Sequence, residues 1–532
     1  MSREENRNLS GQGISVAELC YYIYFAMMLF AKGIGLYEGQ TVYNLIFLTG
    51  ILLVGIKLLL TEHTLYEYLW MGLLVIMSLL VYRNSGEKGL FIYTLMLIGV
   101  KGVSIKRLFT IGTVIWSSCF LGMHFLTMIG KIQDVYMVHN KLGLGYLLRW
   151  SFGYPHPNVL HISYVIMLVF LMYHAGDNKQ KLRAYTILGM LGNLYVFLFS
   201  LSYTGVVLAT VYLTLNYYLS TRKQISRIEK WMLELIFPGC VLFSIAGPLL
   251  IRGRLFELID KAVNTRFYLS KYFLENQPIT LFGTRMNVPN YRYTLDCSYT
   301  YAFMWFGVIP FLVICIGYMW LICRCLKENR RKELAVVLGL AIAGIVEPFM
   351  FNTSYKNPAF LFLGAALFQA SARVTAGLPG ILKYKLPCIK AGSREIGNSH
   401  KESGKKQKLS FSVKEKCGLF VVFAVAAMVS GSIYAAKVQM PVSIYVPDAA
   451  TDDIDQEPAY MTKEEIETVK ENGALVLAYY GEQERMYHYE GNTITMEYVR
   501  GIVETGVWTG SIAAGVAVLI LHRKKRHAII NH

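Results

Sequence analysis

Charged residues are scarce in this 532-residue sequence, of which only 16% is Asp, Glu, Lys or Arg. Soluble globular proteins carry about 25% charged residues, so the deficit argues against a soluble enzyme. Hydrophobic residues make up 54% of the chain, and the mean hydropathy is +0.40. Because a bilayer core of about 30 Å needs about 20 apolar residues per helix, the composition predicts an all-α, polytopic integral membrane protein.

Sequence motifs for metals, nucleotides and covalent catalysis are missing as well. The chain has no Walker loop, no dinucleotide-binding glycine pattern, no zinc-ligand spacing and no nucleophile elbow. Its nine cysteines are scattered, and Cys323 and Cys325 are too close together for a usual CxxC pair. We therefore expect no cofactor, no metal and no structural disulfide. Any catalysis would use side chains scattered over loops.

Fourteen apolar segments have the character of membrane spans, and they would form a core of about 12 spans followed by two more. They lie at residues 14–36, 41–60, 65–82, 88–103, 108–130, 159–173, 184–200, 204–219, 231–251, 299–322, 334–351, 359–375, 417–436 and 501–521. Residues 184–219 form one apolar run between two basic segments. We therefore expect a helical hairpin there that turns near Ser200–Gly205.

The net charge of +17 does not indicate nucleic-acid binding, because Lys and Arg concentrate in loops between the apolar segments. Basic loops of membrane proteins stay in the cytoplasm, and the even count of 14 spans then places both chain termini there. The basic segments are 174–183, 220–230, 323–333, 376–416 and the tail HRKKRH. Loops 131–158 and 252–298 and the segment 437–500 then face the outside.

Composition divides the chain into three parts. Residues 1–375 form the polytopic core, residues 376–416 a flexible basic cytoplasmic linker, and residues 417–532 a C-terminal appendage. The appendage consists of a span, the acidic segment 437–500, a second span and the basic tail. Within the acidic segment we expect one helix and a short hairpin that turns at Gly491–Asn492.

Loop 131–158 ends in the turn-forming sequence RWSFGYPHPN, which presents Arg149, His156 and Asn158. The turn can serve either as part of a site or as an aromatic anchor at the membrane surface without chemistry.

Loop 252–298 carries arginines on the side of the membrane where positive charge is disfavoured. They are Arg252, Arg254, Arg266, Arg285 and Arg292. Guanidinium groups bind phosphate bidentately, so these residues suit an anionic ligand. The alternative is ion pairing with carboxylates of the same loop, such as Asp296.

Glu347, just before Pro348 near the end of a span, is either a functional intramembrane acid or an acid that reaches the surface or pairs with a loop arginine.

Five stretches of the core resemble, in order, segments of one protein family. They are SFGYPHPNVLH (151–161), FSLSYTGVVLA (199–209), NTRFYLSKYFLENQPITLFGTRM (264–286), LDCSYTYAFMWFGVI (295–309) and EPFMFNTSYKNPAFLFLG (347–364). The family is that of the bacterial O-antigen, capsular and exopolysaccharide polymerases of the Wzy type, within the O-antigen ligase-like superfamily. Four positions depart from its pattern: Tyr203 stands for arginine, Asn264 and Thr265 for small residues, and Cys297 for asparagine. The appendage has no counterpart in the family.

The resemblance implies a metal-independent glycosyltransferase in the plasma membrane of a Gram-positive-type bacterium. Its substrate would be an oligosaccharide repeat unit on undecaprenyl pyrophosphate at the outer leaflet, and its partners a chain-length regulator and other assembly proteins. Sister ligases that transfer finished glycan, flippases of lipid-linked oligosaccharide, and non-catalytic assembly factors are the alternative functions.

With that substrate, Arg266 is expected to stabilise the pyrophosphate leaving group, with Arg149, Arg254 and Arg285 as further contacts. The base for the acceptor hydroxyl is expected to be His156, with Asp296 and Glu347 as alternatives. Three more residues would orient the sugar or shape the cavity: Asn158, Ser202 and Tyr299.

Overall fold

The computed structural model describes residues 13–175, 178–290, 293–377, 379–386, 411–451, 456–479 and 481–530. Most of the expected linker 376–416 lies outside the described residues, as do Arg292 and the acidic residues Asp452, Asp453 and Asp455.

The chain divides into two compact units. Unit 1 is drawn from residues 1–133, 152–197 and 202–398, and unit 2 from residues 134–151, 198–201 and 399–532. Unit 2 therefore combines the appendage with two pieces of the expected core, one from loop 131–158 and one from the turn after residue 197.

The chain is mainly helical. In chain order the helices are α1 (Val16–Gly33), α2 (Thr41–Leu59), α3 (Leu65–Ser85), α4 (Gly89–Ile98), α5 (Ile105–Met128), α6 (Pro157–Tyr173), α7 (Lys179–Ser200), α8 (Tyr203–Thr221), α9 (Arg227–Leu250), α10 (Gly253–Ala262), α11 (Arg266–Asn276), α12 (Ser298–Tyr301), α13 (Val308–Lys327), α14 (Arg331–Ala343), α15 (Ala359–Thr375), α16 (Gly380–Lys383), α17 (Val413–Lys437), α18 (Lys463–Glu471) and α19 (Asn492–Ile530). Among the described residues, nine helices are long and apolar enough to cross a membrane: α1, α2, α3, α5, α7, α9, α13, α17 and α19. The hairpin expected at 184–219 is confirmed as α7 and α8, with the turn at Leu201 and Ser202.

Local sequence explains where several long helices begin. Each of α1, α3, α9 and α17 starts with a capping box. The side chain of the Ser or Thr before the helix accepts from the backbone N–H of the third helical residue, a Glu, and the side chain of that Glu accepts from the backbone N–H of the Ser or Thr. These caps satisfy N–H groups that have no partner within the helix. α6 begins differently, with a proline at its first position, where the missing N–H needs no partner.

The expected span 334–351 is not one helix, because α14 ends at Ala343. Pro348 has no N–H and disfavours helical backbone at the residue before it, and Glu347 is extended, with φ −136° and ψ 139°. Residues 344–358 therefore form a connection between α14 and α15, with a single 3-10 turn at Pro348–Met350. Glu347 lies in this connection, outside the helices.

The expected span 299–322 is also interrupted. The short α12 passes into a π-helical turn at Ala302–Phe306, and α13 begins only at Val308. Gly307 has φ +86°, and a Cβ on Gly283 would lie 2.0 Å from the Trp305 carbonyl oxygen. Because only glycine tolerates both the backbone conformation and the close approach, these two residues fix the loop before α12 against the start of α13.

Unit 2 contains two small sheets. The strands are β1 (Tyr136–Asn140), β2 (Tyr146–Trp150), β3 (Ile444–Pro447), β4 (Ala459–Thr462), β5 (Leu475–Val476) and β6 (Gln483–Tyr489). β1 and β2 form an antiparallel hairpin, and the other four form a sheet in the order β4-β6-β3-β5, in which only β3 and β5 are parallel. Val138 and Leu148 of the hairpin share one apolar core with Ile444 and Val446 of the larger sheet.

The expected hairpin at Gly491–Asn492 is wrong. β6 ends at Tyr489 and α19 begins at Asn492, so these residues join a strand to a helix. β6 pairs with β3 and β4, which come earlier in the chain. Because these strands are not joined by a tight turn, no turn sequence next to β6 indicates its partners. α19 packs closely along α17, since a Cβ on Gly510 would lie 2.8 Å from the Phe423 carbonyl oxygen.

Candidate functional site

Three of the four predicted catalytic residues meet in unit 1. Arg266 Nη2 lies 3.2 Å from Asp296 Oδ2, and the buried Glu347 interacts electrostatically with both residues. Arg266 comes from the start of α11, Asp296 from the loop before α12, and Glu347 from the connection after α14. The ion pairing considered for loop 252–298 is therefore present, and it joins an otherwise buried guanidinium to a partly exposed carboxylate.

Backbone carbonyls hold the Arg266 guanidinium in place. Nη1 donates to the carbonyl of Asn264 (2.9 Å), and Nε donates to that of Val346 (3.3 Å). Asn264 and Thr265 both have left-handed backbone, with φ of 53° and 66°, which costs about 1–3 kcal/mol per residue. That strained turn directs the first residue of α11 inward, so the side chain loses little further freedom when it meets an anion.

Hydrogen bonds fix the Glu347 carboxylate and its backbone separately. Thr204 Oγ1 donates to Glu347 Oε1 (3.3 Å), and Ser298 Oγ donates to the Glu347 carbonyl. Burial raises the pKa of the Glu347 carboxyl to about 7, against the opposing effect of the Arg266 charge. A carboxyl with that pKa can accept or release a proton near neutral pH.

Lys356 belongs to the same cluster, although the sequence did not single it out. It is buried in the connection between α14 and α15, and its charge interacts with that of Glu347. Burial lowers the pKa of its ammonium group to about 8, and the negative charge of Glu347 opposes the shift. The signal that was available is its place in the polar stretch NTSYKNP between two apolar segments.

Ser202 and Tyr299 support the cluster in different ways. Ser202 Oγ caps α8 by accepting from the Gly205 N–H (3.3 Å), and it lies 3.4 Å from Thr204 Oγ1. Thr204 in turn reaches Glu347, so Ser202 orients the residue that binds the carboxylate. Tyr299 is fully buried and donates to the Ala341 carbonyl (2.6 Å), which ties α12 to α14.

The remaining predicted residues lie elsewhere on the chain. Arg254 on α10 and Arg285 in the loop before α12 are exposed, so neither belongs to the buried cluster. His156 is half-buried at the start of α6, where its Nδ1 accepts from the Asn158 N–H (3.0 Å), so a base role would fall to Nε2. Arg149 is buried in unit 2, where its Nε donates to the Ser200 carbonyl (2.9 Å).

The arrangement suits proton transfer beside an anion. A fixed guanidinium stabilises developing negative charge, and Glu347 offers a carboxyl that titrates near neutrality. Within the described residues, no group of three or more His, Cys, Asp or Glu side chains is arranged to hold a metal ion.

No protein-family model matches the chain, and no curated protein or solved structure does.

Proposed function

We propose that the chain is a polysaccharide polymerase that joins lipid-pyrophosphate-linked oligosaccharide units by glycosyl transfer. The observation that carries the proposal is the ion pair between the buried Arg266 and the partly exposed Asp296, beside the buried Glu347. Arg266 begins the short helix α11, and Asp296 and Glu347 lie in connections outside the long apolar helices. A lipid-linked sugar has its reactive bond at the membrane surface, and fixed polar groups in such connections are suited to reach it.

In the proposed reaction, the acceptor hydroxyl oxygen forms a bond to the anomeric carbon of the donor sugar. The bond between that carbon and the pyrophosphate oxygen breaks, and the lipid pyrophosphate leaves with the electron pair. Arg266 stabilises the charge that builds on the leaving group. Glu347, in its ionised form, takes the proton of the acceptor hydroxyl. Asp296 holds the guanidinium, and no metal is required.

His156, the base expected from the resemblance, becomes the alternative base, and Arg254 and Arg285 are proposed contacts for the sugar or the phosphates. Arg149 is left out of this site, because its buried guanidinium binds the Ser200 carbonyl within unit 2. Asn158, Ser202 and Tyr299 are proposed to shape the cavity. The membrane arrangement we propose has 14 spans with both termini in the cytoplasm, in the plasma membrane of a Gram-positive-type bacterium. The partners would be undecaprenyl-pyrophosphate oligosaccharide, a chain-length regulator and other assembly proteins.

The test is the glycan profile of a strain that lacks the chain, complemented with wild-type protein, Glu347→Gln or Lys271→Ala. Lys271 lies on the same helix as Arg266 and pairs only loosely with Glu275 (3.9 Å), which makes it a matched control. We expect single repeat units without long polymer in the strain and in Glu347→Gln, and normal polymer with Lys271→Ala. Full-length polymer left on its lipid carrier would indicate a ligase instead. Units confined to the inner leaflet would indicate a flippase, and both results would overturn the proposal.

A further inference from the structure

A buried arginine of the appendage holds the end of α7. Arg500 on α19 is 2% exposed, and its Nε and Nη2 donate to the carbonyls of Leu198 (2.8 Å) and Phe199 (3.5 Å). Its Nη1 donates to the Leu148 carbonyl of β2 (2.8 Å) and to the Glu497 carboxylate. All these residues belong to unit 2.

A second arginine completes this cap. Arg149 Nε donates to the Ser200 carbonyl (2.9 Å), so two buried guanidinium groups bind three successive carbonyls, those of residues 198–200. Carbonyls in the last turn of a helix have no partner within it, and positive charge is favourable there. Glu497 keeps Arg500 in place, because its other oxygen accepts from Trp150 Nε1 (2.9 Å).

The capped turn leads directly into the candidate site. Leu201, the last residue of unit 2 in this segment, has left-handed backbone with φ 45°, and Ser202 caps the next helix. Thr204, which binds Glu347, lies in the first turn of α8.

We infer that Arg500 is a positioning residue, which fixes the turn at Leu198–Leu201 and thereby the hydroxyl of Thr204 against Glu347. The link is covalent, since Leu201 is followed by Ser202. A residue of the C-terminal appendage would thus be needed for the full rate of a site formed by the core. The catalytic part of this inference rests on the proposed function, whereas the structural part does not.

The structural part is tested by amide hydrogen exchange on the full-length protein. The variants are Arg500→Ala, Arg500→Lys and Glu497→Gln, with Arg485→Ala as control. Arg485 is also in unit 2, but it is exposed and pairs with the exposed Asp448. We expect exchange in peptides covering 202–206 to rise about tenfold in Arg500→Ala, less in Arg500→Lys, and not at all in the control. Unchanged exchange in folded Arg500→Ala would overturn the inference. If Arg500→Ala does not fold, unchanged exchange in both Arg500→Lys and Glu497→Gln would overturn it.

The catalytic part is read from glycan transfer at several pH values. We expect Arg500→Lys to lower kcat about tenfold with little change in KM, and to shift the rising limb of the pH profile upward. The shift follows because a hydrogen bond from Thr204 stabilises the ionised Glu347. Faster exchange with unchanged kcat, in an enzyme that Glu347→Gln inactivates, would refute the positioning role. If Glu347→Gln leaves transfer intact, the proposed function fails, and the exchange data alone then decide what Arg500 holds.

Discussion

Arg266 is the residue on which the proposed chemistry most depends, and its replacement by alanine has two separable effects. The first is structural. Arg266→Ala removes the donor to the Val346 carbonyl and the partner of Asp296, whereas the exposed Asn264 carbonyl still accepts from Thr265 Oγ1 (2.7 Å). An unsatisfied buried group costs about 1–3 kcal/mol, but Asp296 is partly exposed and water can replace its partner. We therefore expect the free energy of unfolding to fall by about 1–3 kcal/mol.

The second effect is on the reaction. Loss of one fixed donor to a developing oxyanion typically costs about 10²- to 10³-fold in kcat. Arg266→Lys retains the charge but not the planar fork, so it should recover part of the rate. The assay is polymerisation of a purified lipid-pyrophosphate oligosaccharide by detergent-solubilised protein, with thermal unfolding measured on the same samples and Lys271→Ala as control. If folded Arg266→Ala polymerises within about threefold of the wild-type rate, the charge-stabilising role is refuted.

Further predictions concern the other parts of the cluster. If Glu347 acts as the base, kcat should rise with pH through about 7, because the ionised form is the active one. Glu347→Gln should remove this rise, and a flat wild-type profile would exclude Glu347 as the base. Thr204→Val should move the midpoint to higher pH, whereas Thr204→Ser should retain it, as measured by the same pH–rate profile. Gly283→Ala should destabilise the protein by about 2 kcal/mol or more, because its φ is +78° and its Cβ would clash with the Trp305 carbonyl. Gly122→Ala, inside α5 and with nothing within 4 Å of the added Cβ, should not lower the melting temperature.

The sequence was informative where the signal is local. Apolar length predicted the long helices, and the polar interruption at Ser200–Gly205 predicted the turn between α7 and α8. Periodicity did not reveal that the segments around Gly307 and Pro348 break into short pieces, because a run of apolar residues looks the same in a continuous span and in an interrupted one. The glycine and the proline were the available signals for both breaks.

The candidate site was predictable only in part, for the same reason. Arg266 and Glu347 were recognised as charges placed where a membrane protein avoids them, and Asp296 as a possible ion-pair partner of the loop arginines. Thr204 was not, since a threonine at the start of an apolar helix has no distinguishing pattern. The partners of Arg500 lie about 300 residues earlier in the chain, and no sequence spacing indicates such a contact.

Irregular backbone explains why so many buried polar groups meet at one place. A buried carbonyl or N–H without a partner destabilises the fold, so buried non-helical connections persist only where protein groups or water satisfy them. Arg266 supplies a donor to Val346, and Ser298 supplies one to the carbonyl of Glu347. The same donors therefore stabilise the connection and hold the reactive groups. Alanine at Arg266 removes both at once, so its activity has to be compared with the thermal unfolding of the same sample. The conservative changes Arg266→Lys and Glu347→Gln disturb the packing less and therefore test the catalytic role more directly.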